Sequence, residues 1–162
     1  MRFSTALAVV LMCTLIDAAQ GEGPVNTLDT AQSRIDGLVD KLRSGSVQRI
    51  EIVQIPSRIL TRTRVTPEML ERSFHYKLVV RDIRGGPYAA SLTAALASTS
   101  ADPASEMGDL RWGIAFFDVN DQRIDSLYFD ASGRHGAVDS LATVFKSGLP
   151  KWLGENFSAA FK

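Results

Sequence analysis

Cysteine is almost missing from this chain: Cys13 is the only one among 162 residues, and it sits in an N-terminal apolar run. If that run is removed, neither a disulfide scaffold nor a thiolate metal site is open to the mature protein. Histidine is scarce too. His75 and His135 lie far apart with no HExxH spacing, so no metal is expected. A net charge is also lacking, because 18 basic and 18 acidic residues cancel. No long-range field then selects nucleic acid or an anionic membrane as partner. Long hydrophobic runs are absent as well, none reaching the roughly 20 residues that span a bilayer, and no stable membrane insertion is expected after processing. A GxSxG elbow is wanting, and Gly85-Gly86 lacks the GxxxxGK[ST] pattern of a phosphate loop. No cofactor is expected.

What the chain does have begins with a secretory signal over 1–21: Arg2 near the start, apolar residues from Ala6 to Ile16, and the small pair Ala19 and Gly21. Cleavage after Gly21 would free residues 22–162 as one exported domain. Absence of cysteine from that domain favours a bacterial periplasm over the disulfide-rich extracellular space, though both are consistent with export.

The strongest structural signal is DLRWGIAFFDVNDQRIDSLYFDASG, residues 109–133. Two runs rich in aromatic and β-branched residues flank Asn120-Asp121, residue types suited to a tight hairpin turn. With those two at the centre of the turn, Trp112 faces Phe129, Ile114 faces Leu127, Phe116 faces Asp125 and Asp118 faces Arg123. Gly113 with Tyr128, Ala115 with Ser126 and Phe117 with Ile124 take the other face. Both faces are apolar, which places the hairpin inside a sheet.

Around it, apolar residues at helical spacing run from Leu28 through Ile35 to Leu42, with Asn26 or Thr27 as cap and Gly45 as terminator. Gly37 inside this helix suggests close packing. Residues 48–55 read as a strand whose apolar parity shifts at Val53, through a bulge or burial on both faces. Thr66-Pro67-Glu68 starts a short helix ending near Phe74, and Tyr76, Leu78 and Val80 alternate as a half-buried strand. A helix follows Gly85-Gly86-Pro87. Residues 98–108 read as a loop, 138–145 as a weaker strand, and Leu149, Leu153, Phe157 and Phe161 as the stripe of a last helix with Trp152 on its flank. The sum is a single α+β domain, with a mainly antiparallel sheet, a central hairpin (about 111–130) and covering N-terminal and C-terminal amphipathic helices.

Three sets of residues bear on function. Arg58, Arg62 and Arg64 share the even positions of residues 58–65 with Leu60, which predicts a basic stripe on an edge strand that can pair with an acidic protein. Gly133, Arg134, His135 and Gly136 form a glycine turn able to offer donors to an anion. Asp118, Asp125 and His135 are the acids and base from which an enzyme would have to be built, with Asp118 and Asp125 on one ribbon face. The expected function is a small exported, non-catalytic protein-binding module of the inhibitor, immunity or envelope accessory kind. The alternative is a small exported hydrolase or ligand-binding protein with an acidic/histidine pocket.

Overall fold

Residues 111–130 fold as the expected hairpin, and it lies at the middle of the sheet. The computed structural model describes residues 30–146 and 148–157. The predicted signal at 1–21, the predicted caps Asn26 and Thr27, and Phe161 of the predicted last stripe lie outside them. The elements are α1 (Ala31–Arg43), β1 (Arg49–Gln54), α2 (Pro67–Ser73), β2 (Tyr76–Arg81), α3 (Ala89–Ala97), β3 (Ser100–Pro103), β4 (Leu110–Phe117), β5 (Arg123–Asp130), β6 (His135–Val138), β7 (Leu141–Lys146) and α4 (Leu149–Phe157). Seven antiparallel strands are ordered β2-β1-β4-β5-β6-β7-β3. The protein is a single α+β domain.

The register of the hairpin follows the sequence reading from Trp112↔Phe129 to Phe116↔Asp125, then departs from it. Phe117 pairs with Arg123 rather than Ile124, because the loop holds three residues instead of two. Asp121 N–H donates to the Asp118 carbonyl, and Asp121 takes a φ of 64°. A tight turn followed by a left-handed residue needs a bulge to restore the ladder, and Ile124 is that extra residue. Asp118 therefore does not face Arg123. Its Oδ1 accepts the Asn120 and Gln122 N–H groups, both at 2.8 Å.

Helices cover the two faces unequally. On one side α1, α3 and α4 bury Ile35, Leu38, Leu92, Leu96, Leu153 and Phe157 against Ile50, Ile52, Ile114, Phe116, Leu127 and Phe129. Trp152 belongs to this core, 5% exposed, and not to its flank. On the other side α2 closes a smaller cluster of Val53, Ile55, Val65, Leu70, Leu110, Tyr128 and Ala137. Burial on both faces is thus why the apolar parity of β1 shifts. Gly113 marks where α2 presses closest: a Cβ there would stand 3.0 Å from Val53 and 3.3 Å from Leu70.

Local chemistry explains the helix ends. Thr30 and Ser33 form a reciprocal capping box at α1, and Gly45, at φ 71°, turns the chain out of it. Thr66 caps α2 and Pro67 occupies its first turn, as the sequence predicts. Gly37 is not close-packed: nothing lies within 4 Å of where its Cβ would be.

Two further expectations are corrected. Residues 98–108 are not all loop, since β3 pairs with β7 from Ser100↔Lys146 to Pro103↔Thr143 and closes the sheet's far edge. Residues 138–145 are not one strand. They span the turn between β6 and β7, where Asp139 takes a φ of 53°, so the hairpin continues into a four-strand meander. Among the described residues no helix is long and apolar enough to cross a membrane.

Candidate functional site

Residues 58–65 do not form the predicted edge strand. Pro56 ends the path of β1, and Ile59 N–H donates to the Pro56 carbonyl at 2.9 Å, folding the chain into a loop that returns at Val65. Both ends of the loop are buried: Ile55 is 3% and Val65 1% exposed. Each is tied to the start of β4. Ile55 N–H donates to the Arg111 carbonyl, Leu110 N–H to the Val65 carbonyl, and Val65 N–H to Asp109 Oδ1 at 2.8 Å.

Arg111 straps the loop from beneath. The β4–β5 ladder slips between Leu110 and Trp112, leaving Arg111 as a bulged residue without a partner on β5. Bulges redirect side chains, and this one sends a guanidinium into the loop. Nη1 donates to the Ile59 carbonyl at 2.9 Å, Nε to Asp109 Oδ2 at 3.0 Å, and Nη2 to the same oxygen. Arg111 is only 7% exposed, a depth at which arginine is found when paired. Burial pushes the Asp109 carboxyl upward, but the Val65 N–H and the guanidinium of Arg111, helped by Arg64, outweigh it and hold the group below its ordinary value.

This scaffold presents Leu60 to solvent. Leu60 is 93% exposed, far above Val119 at 71% and the remaining exposed apolar residues. Arg58, Arg62 and Arg64 are all exposed around it. Arg64 pairs with Glu106 at 2.5 Å, whereas Arg58 and Arg62 make no ion pair with any described residue. Two free guanidinium forks therefore flank one free aliphatic side chain.

The other predicted residues are dispersed. Asp118 belongs to the hairpin turn, while His135 begins β6 beside Asp130, its Nδ1 3.5 Å from Oδ2. The whole length of β5 separates them, on the order of 24 Å for eight residues of strand. Asp125 lies between, its side chain 9% exposed, accepting Ser126 N–H and facing Arg34 of α1 at 3.6 Å. Burial raises its carboxyl above the ordinary value, more than Ser126 N–H and Arg34 lower it. No acid–base pair assembles from these three. The glycine turn is divided as well. Gly133 N–H donates to the Asp130 carbonyl and Arg134 N–H to Asp130 Oδ1, so those donors are spent inside the turn. Gly133 and Arg134 line a cleft beside α4, His135 lies on another surface with Glu106 and Gly108, and Gly136 packs against the Tyr128 carbonyl. Among the described residues, no group of three or more His, Cys, Asp or Glu could hold a metal ion.

Sequence reasoning had Leu60 on the arginine stripe without giving it a role. It missed Asp109 and Arg111 because a bulge, which depends on register, makes them a strap. The fold and this loop define a small α+β scaffold with an ordered, basic, apolar-tipped projection. No match is found among known protein families, curated proteins or solved structures.

Proposed function

We propose that this protein is a non-catalytic binding module that takes another protein, one bearing carboxylates around an apolar pocket, on the loop of residues 56–65. The observation that carries this reading is Leu60, 93% exposed at the tip of a loop held by a buried arginine. An aliphatic side chain in that position adds nothing to the fold. Burying it in a partner would contribute about 1.5–3 kcal/mol. The strap lowers the ordering cost of binding, because the loop is already folded. Arg58 and Arg62 are placed to pair with carboxylates around the central contact, and Arg64 can exchange Glu106 for a partner's acid.

The reading includes export: the signal over 1–21 would deliver a chain beginning at Glu22, which the mass of the natural protein's N-terminus checks. The decisive experiment is affinity capture from the envelope fraction of the producing cell, with wild type beside Leu60→Ser and a triple Arg58→Ala, Arg62→Ala, Arg64→Ala variant. One stoichiometric protein should be held by wild type and lost from both variants while their circular dichroism stays native. Retention by both variants, or capture of lipid vesicles in place of a protein, would overturn the assignment of the loop. Turnover of a substrate abolished by Asp125→Asn or His135→Ala, with no partner found, would make the protein an enzyme instead.

A further inference from the structure

The loop that carries Leu60 is built like a peptide offered for cleavage and held against release. It opens with a turn, closed by the Ile59 N–H on the Pro56 carbonyl. After that turn the side chains alternate: Ile59 is half-buried against the cluster closed by α2, Leu60 is 93% exposed, and Thr61 is half-buried again. Such alternation belongs to extended backbone. No residue from 56 to 65 takes a positive φ, so the path is one that any L-peptide can follow. An endopeptidase reads its substrate in this way, with one side chain projecting into a primary pocket.

The fate of such a segment depends on what holds it on either side of the projecting residue. On the N-terminal side, the carbonyl of Ile59 belongs to the peptide bond that leads into Leu60, and it accepts Arg111 Nη1 at 2.9 Å. On the C-terminal side, Val65 N–H donates to Asp109 Oδ1 at 2.8 Å, and the Val65 carbonyl accepts the Leu110 N–H. Asp109 and Arg111 are themselves paired, so both halves of the loop stand on one base. A break between Leu60 and Thr61 would leave both new ends tethered to it. Tethered groups meet at an effective concentration far above that of free reactants.

Leu60 is also the side chain best placed to enter a pocket. Arg58 lies inside the turn, and the chain bends again at Arg62 and Thr63, so neither arginine has extended backbone on both sides. They are left to read carboxylates on the rim of the pocket.

We infer that the partner of this loop is a serine endopeptidase with an apolar primary pocket, and that the protein inhibits it by presenting Leu60 as a substrate whose halves do not separate. The inference rests on the reading of residues 56–65 as the binding surface and names the class of its partner. The peptidase serine hydroxyl adds to the Leu60 carbonyl carbon, and a peptidase histidine carries the hydroxyl proton to the Thr61 nitrogen. The Leu60–Thr61 C–N bond breaks, leaving an ester at Leu60 and an amine at Thr61. Because Arg111 and Asp109 hold the two sides, the amine stays beside the ester and re-forms the peptide bond before water replaces it, the proton returning through the histidine to the serine. The peptidase stays occupied and the loop survives.

Chymotrypsin and subtilisin, which accept large apolar side chains, are the probes, and trypsin, which requires a cation, is the control. Each is assayed on a small chromogenic peptide in the presence of the whole protein as isolated from its producing cell. Wild type should inhibit at least one of the first two with a Ki below about 1 μM and leave trypsin active. Leu60→Arg should weaken that inhibition by at least about 100-fold and create inhibition of trypsin. In Arg111→Met the inhibition should fade with time while mass spectrometry shows a cut after Leu60, a cut that wild type resists. Leu60 is at the surface, so its variant reads the pocket even if Arg111→Met misfolds. The inference fails if neither chymotrypsin nor subtilisin is inhibited at about 10 μM protein, or if Leu60→Arg inhibits as wild type does. It fails equally if wild type is cut after Leu60 as fast as a natively folded Arg111→Met protein. A captured partner that needs Leu60 and the arginines but has no peptidase activity would sink this inference and leave the binding reading standing, whereas capture that survives those changes would sink the binding reading itself.

Discussion

Replacing Arg111 with methionine tests whether the loop is held from beneath or merely rests on the surface. Methionine keeps an unbranched apolar stem and removes the donors that reach Asp109 and the Ile59 carbonyl. Hydrogen bonds from a charged group are worth about 1.5–3 kcal/mol each, but they do not add when they share one guanidinium. Water offsets part of the loss at Asp109, whose side chain is 43% exposed, while the Ile59 carbonyl loses its arginine donor. A destabilisation of about 2–3 kcal/mol follows, below the 3–5 expected when one member of a fully buried pair is removed. Urea denaturation reads this value. Trypsin reads its location, since Arg58, Arg62 and Arg64 are natural cleavage sites protected only while the loop stays closed. In Arg111→Met the loop should be cut at least about tenfold faster than in wild type. The acid side adds a sign. Asp109 is held below its ordinary value, so its contribution is complete above the unfolded pKa, about 3.9, and is lost as pH falls through the lower folded value. Arg111→Met should lose much of that acid sensitivity. A variant with unchanged tryptic rate and a loss under about 0.5 kcal/mol would refute the strap.

Gly37→Ala should raise stability by about 0.5–1 kcal/mol, seen as a higher denaturation midpoint, because α1 is regular there and the Cβ position is empty. Asp125 carries the opposite pH sign to Asp109: its folded value is raised, so the folded state binds the proton more tightly and stability falls as pH rises from the unfolded pKa through the folded one. Asp125→Asn should therefore cost less than about 1 kcal/mol at pH 7, and the wild-type decline across that window should flatten in equilibrium unfolding.

The hairpin was readable because alternation on two faces admits few registers, and Trp112 to Phe116 pair as that alternation requires. Its loop was less so. Asn120-Asp121 fits the centre of a two-residue turn and equally the end of a three-residue one, and the hydrogen bonds of Asp118 decide between them. Strand β3 carries almost no signal of its own, being short, polar and ended by Pro103, and becomes a strand only because β7 offers it an edge. Residues 58–65 misled for the reverse reason. Their alternation of arginine and leucine with Ile59, Thr61, Thr63 and Val65 imitates a strand, but Pro56 and the reach of Arg111 impose a loop. The cleft escaped notice because its lining comes from β4, β5, β7 and α4, which no sequence window contains.

The order of the sheet also constrains the sequence of events when the chain folds. Strands β4 to β7 are consecutive neighbours and can zip together through short turns, whereas Ile50 must find Phe116 and Ala101 must find Phe145 across long intervening chain. Long closures cost entropy before any contact repays it, so the meander is the natural template and the two outer pairings are late. Until β1 arrives, the β4 edge of that template is open. The segment bearing Leu60 and its arginines takes its final shape only when Ile55 reaches the Arg111 carbonyl, which ties display of the projecting surface to completion of the sheet.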